Sequence, residues 1–91
     1  MPYIKQEDRK LFDKVLKKFE EIAHLDGHEL PAGKLNYLIS SIIKSTLGDN
    51  PNYARYNEII GMLECCKLEL YRRMVAKYED SKATLNGDVY E

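Results

Sequence analysis

Residues 53–79, YARYNEIIGMLECCKLELYRRMVAKYE, read as one long amphipathic helix, and a chain of 91 residues must arrange everything else around it. Placed at about 100° per residue, Tyr56, Ile59, Ile60, Leu63, Leu70, Tyr71, Met74 and Tyr78 fall on one broad arc, the period of a core-facing helix. At 1.5 Å per residue the stretch would extend about 40 Å, more than the shorter helices before it can easily cover. A further partner surface is therefore expected.

Two segments precede that rod. Residues 6–24 carry Leu11, Phe12, Val15, Leu16, Phe19, Ile22 and Ala23 on one side, with Lys10, Lys14, Lys17, Lys18 and Glu21 on the other. Residues 33–47 repeat the pattern with Leu35, Leu38, Ile39, Ile42, Ile43 and Leu47, then stop at Gly48-Asp49-Asn50-Pro51. Gly27 supplies a C-cap in the first linker, Pro31 favours the start of the second helix, and Asn52 is an N-cap for the third. Gly61 is read as a place for a bend or a close backbone approach. Residues 80–91, DSKATLNGDVYE, turn small and polar, with Asn86-Gly87 as a turn signal and Val89 and Tyr90 available to dock. The pattern predicts an all-α fold in a single domain, 1–91: a three-helix antiparallel bundle with a long third helix and a flexible C-terminal tail.

Charge narrows the function. Lys and Arg number 14 against 15 Asp and Glu, so no global field draws the chain to DNA or an acidic membrane, and nucleic-acid binding stands as a third reading only. No apolar run has the length of a membrane span, and the simplest location is the cytoplasm. Cys65 and Cys66, adjacent on a helix, diverge too far for ordinary disulfide geometry and are expected as free thiols, Cys66 buried at the edge of the apolar arc and Cys65 exposed away from it. His24, Asp26 and His28 lack the paired spacing of a zinc site and read as titrating surface groups. Nothing supplies a nucleophile with its base, a phosphate-cradling loop or a metal set, so neither catalysis nor a cofactor is expected.

Two positions break the pattern. Tyr37 projects nearly opposite its helix's apolar stripe, beside Ser41 and Lys44, where a lone unit should be wet; either its ring lies flat on neighbouring side chains or, the favoured expectation, it contacts a second subunit or a ligand. Lys67 lies inside the apolar arc and must snorkel, pair with Glu64 or meet an anion, while Arg72 and Arg73 stand at ion-pairing distance from Glu69 along the helix. The leading expectation is a non-catalytic homo-oligomer, a dimer or larger, that works by binding a protein partner. The alternative is sequestration of a small anionic ligand such as a nucleotide between subunits. Its candidate residues are Tyr37, Tyr71 and Tyr78 as stacking rings, with Lys44, Lys67, Arg72 and Arg73 as cations.

The strings MPYIKQEDR, LNYLI, LECCKLELYRRMVAKYED and NGDVYE together resemble a family of short, functionally uncharacterised accessory proteins of bacteriophages and prophages, nearly end to end. The resemblance carries over no catalytic residue. What it implies is context: a small protein made in a prokaryotic cytoplasm and supplied by a mobile element.

Overall fold

The computed structural model describes residues 4–25, 27 and 29–90. These are 82% helical, and no strand occurs among them. Helix α1 (Gln6–Arg9) passes through a 3-10 turn (Lys10–Phe12) into α2 (Asp13–Leu25); α3 spans Ala32–Leu47; and α4 (Tyr53–Leu70) runs through a π turn (Tyr71–Val75) into α5 (Ala76–Asn86). The three rods expected from the apolar spacing are present. Backbone contacts divide the chain into two units, Met1–Pro51 and Asn52–Glu91.

In the first unit, Gly27 takes a positive φ of 66° and its N–H donates to the His24 carbonyl at 3.0 Å, ending α2 as a left-handed cap does. Pro31 opens α3, its carbonyl accepting from Leu35 N–H at 3.0 Å, and Gly48 closes it with φ 74°. Metal ligation by His24, Asp26 and His28 cannot be built here, because Asp26 and His28 lie outside the described residues. Among the described residues no group of three His, Cys, Asp or Glu side chains is placed to hold an ion.

The second unit begins on a cap legible in the sequence: the Asn52 side-chain oxygen accepts from Arg55 N–H at 2.8 Å. Three expectations fail further along. The helix is unbroken at Gly61, and a Cβ there would meet nothing within 4 Å, so no backbone approaches it closely; the rod's irregularity comes ten residues later, at the π turn. It also continues past Glu79 to Asn86, so the expected tail shrinks to the residues after it. The polar residues there stay helical because Ser81 and Thr84 fold their hydroxyls onto the Tyr78 and Asp80 carbonyls, at 2.8 and 3.1 Å, instead of competing for the backbone. Gly87, at φ 90°, donates its N–H to Ala83 and stops the rod. Finally, Cys66 is exposed like Cys65, its thiol 3.7 Å from the Met62 sulfur.

No described residue is buried. The stripes predicted as core are in place but only partly covered: Phe19, Leu38, Ile43, Ile59 and Leu63 are half-buried, while Leu11, Val15, Leu16 and Ile22 of the first rod, Ile39 and Ile42 of α3, and Ile60, Leu70 and Met74 of the third are exposed. Met62 and Leu68, off the predicted arc, are exposed as well, so the long rod is apolar on more than one side.

Candidate functional site

Within the first unit, α2, Leu30 and α3 flank an open apolar cleft of about 940 Å³. Val15, Phe19, Ile22, Leu35, Leu38 and Ile42 supply much of its lining. Among the described residues, the charged ones that border it are Lys14, Lys18 and Lys34. Lys18 is shared with Glu21 at 3.5 Å on the exposed face. Tyr37, which the sequence placed opposite the apolar stripe, borders the same cleft while staying 73% exposed, so its ring is a rim group with a wet edge. Lys44, two turns further along α3, is exposed and does not line the cleft.

In the second unit the anomalous cations are satisfied along their own helix. Lys67 Nζ lies 3.4 Å from Glu64 Oε1, and Arg72 and Arg73 converge on Glu69 at 3.2 and 3.7 Å. Glu69 is the half-covered centre of this fork; exposed pairs of this spacing contribute a few tenths of a kcal/mol each and chiefly fix side-chain direction. Tyr78 lies under the ammonium of Lys82, 5.6 Å from the ring centroid.

The π turn accounts for the remaining contact. Ala76 N–H donates to the Tyr71 carbonyl, five residues back, so one residue is absorbed without advancing the helical phase. In a regular α-helix Tyr71 and Glu79 would sit about 80° apart around the axis; losing one step of about 100° leaves them within about 20° of one another. The Tyr71 hydroxyl accordingly donates to Glu79 Oε2 at 2.7 Å. That hydrogen bond, and then the carboxylate's charge, raise the Tyr71 phenol above its ordinary pKa.

The family described as Domain of unknown function (DUF6899) matches residues 1–89. The chain belongs to that family. No curated protein and no solved structure matches it. The DUF6899 match spans both units, so the lysine-rimmed cleft and the rephased rod belong to one family domain.

The seven residues singled out in the sequence therefore fall into two sets. Tyr37 and Lys44 stand in the first unit; Lys67, Tyr71, Arg72, Arg73 and Tyr78 occupy three turns of the second. Sequence reasoning missed Lys14 and Lys18, assigning them to a solvated face, although their adjacency to Val15 and Phe19 signals an edge position. It also missed Glu79, for which no signal existed, since the contact depends on a π turn.

Proposed function

We propose that this DUF6899 protein is a non-catalytic accessory protein that works as a homo-oligomer. The observation that carries this reading is the length of the third rod. Its segments contain 18, 5 and 11 residues, on the order of 50 Å in all. The first rod, of 4, 3 and 13 residues, reaches roughly 30 Å, and α3, with 16, roughly 24 Å. A three-helix antiparallel bundle made by one chain would leave roughly 20 Å of the rod, with Tyr78 and Leu85 on it, without a neighbouring helix. Light scattering on a size-exclusion column tests the reading; a mass at least twice that of one chain is expected, and a single-chain mass at every concentration overturns it.

A second reading, capture of a small anionic ligand such as a nucleotide, is favoured by the cleft in place of the long rod. There Tyr37 borders an apolar cleft together with Lys14, Lys18 and Lys34, which places an aromatic ring and cations around one opening. Nucleotides at millimolar concentration should raise the melting temperature of the native protein and lose that effect in Tyr37→Ala. The resemblance to phage and prophage accessory proteins supports a prokaryotic cytoplasmic setting for either reading. Among the described residues no helix is long and apolar enough to cross a membrane.

A further inference from the structure

We propose that Met62, Cys65 and Cys66 form a three-sulfur site for one copper(I) ion on α4. The site goes beyond the homo-oligomer reading and stands without it.

Sulfur is concentrated here. Of the chain's three methionines and two cysteines, one methionine and both cysteines fall within residues 62–66. Such side chains ordinarily fill cores, yet Met62 is 44% exposed and both cysteines are exposed. Around the helix axis Met62 lies about 120° from the middle of the apolar arc, with Cys65 and Cys66 on either side of it, about 60° and 40° away. A helix lying along the arc leaves this face open, and an ion reaches it without any unfolding.

Spacing makes the three sulfurs neighbours. Cys65 and Cys66 follow Met62 by three and four residues, and helical side chains lean toward the N-terminus, so both thiols tilt over the turn that carries Met62. One of these contacts is formed: Cys66 Sγ lies 3.7 Å from Met62 Sδ. Thiolate sulfur sits about 2.3 Å from a closed-shell ion such as zinc, so three sulfurs around an ion of that size stand about 4 Å apart. The observed pair is close to that spacing. The divergence that denies the adjacent cysteines an S–S bond of about 2.05 Å leaves room for an ion between them, which needs nearly twice that separation.

The donor set selects the metal. Residues 53–91 contain no histidine. The carboxylates nearest the sulfurs are engaged: Glu58 with Arg55 at 3.3 Å, Glu64 with Lys67 at 3.4 Å, and Glu69 with Arg72 and Arg73 at 3.2 and 3.7 Å. What faces an entering ion is soft sulfur, which suits copper(I), whereas structural zinc takes four nitrogen, sulfur or oxygen ligands. Binding releases both thiol protons to solvent and transfers no electron: two thiolates and the neutral Met62 thioether each supply a lone pair to the ion.

The test titrates the reduced full chain, without oxygen, into the copper(I) bicinchoninate complex, whose colour fades as copper leaves it. One copper per chain should be withdrawn. Cys65→Ser and Cys66→Ser should each weaken binding at least about a hundredfold and Met62→Leu about tenfold, while circular dichroism retains the helical signal in all three. Glu64→Cys added to Cys65→Ser restores two thiols but sets them about 200° apart, and should bind no better than Cys65→Ser alone. An unchanged colour, a Met62→Leu chain that binds like the wild type, or a displaced thiol pair that binds like the adjacent one overturns the site. One copper per two chains also overturns it, because the ligands would then come from separate copies.

Discussion

Glu79 holds the Tyr71 hydroxyl at 2.7 Å across two turns of helix, a contact that exists only because one residue is taken up in the π turn. Its hydrogen bond and negative charge favour the protonated phenol, so Tyr71 titrates above the ordinary tyrosine value in the folded chain. Because the folded pKa exceeds the unfolded one, the associated stability is fully present below the unfolded tyrosine pKa and is lost as pH rises through the folded value. Glu79→Gln should bring the Tyr71 titration down toward the ordinary range and leave the other tyrosines unmoved. Carbon-13 NMR of ring-labelled tyrosine, followed against pH, checks this; an unshifted Tyr71 resonance would show that the contact has no electrostatic weight. Other residue-scale features were legible beforehand. Glu64, Lys67, Glu69, Arg72 and Arg73 stand three and four apart, and that spacing alone dictates the ion pairs found.

At the scale of elements, starts were legible and one stop was not. Asn52, Pro31 and Gly27 mark boundaries through backbone chemistry that each residue type imposes locally. The end of the third rod was misplaced because its last turns hold polar residues; apolar periodicity reports which face is buried, and these turns bury none. The π turn had no signal either, since no proline or glycine lies within Tyr71–Val75. Gly61 had a signal that the backbone does not use: it is helical, and an added Cβ meets open space. Gly61→Ala should therefore stabilise the rod by about 0.5–1 kcal/mol, read from urea denaturation. A loss of stability together with a lower assembly mass would instead place Gly61 at a close helix contact between copies.

For the whole molecule, the decisive property is apolar surface with no buried residue among those described. Hydrophobic patterning foretold which side chains want cover and could not say which chain supplies it, because one stripe serves equally for a core and for an interface. If copies of the chain cover one another, unfolding releases separate chains and its midpoint must depend on concentration. With an unfolding enthalpy near 0.7 kcal/mol per residue, a two-state dimer of this size should lose about 4 °C in melting temperature for each tenfold dilution. A self-sufficient monomer shows no such slope. Differential scanning calorimetry over a hundredfold range of protein concentration separates the two, and a flat midpoint across that range would mean that the chain's own units close over the exposed stripes.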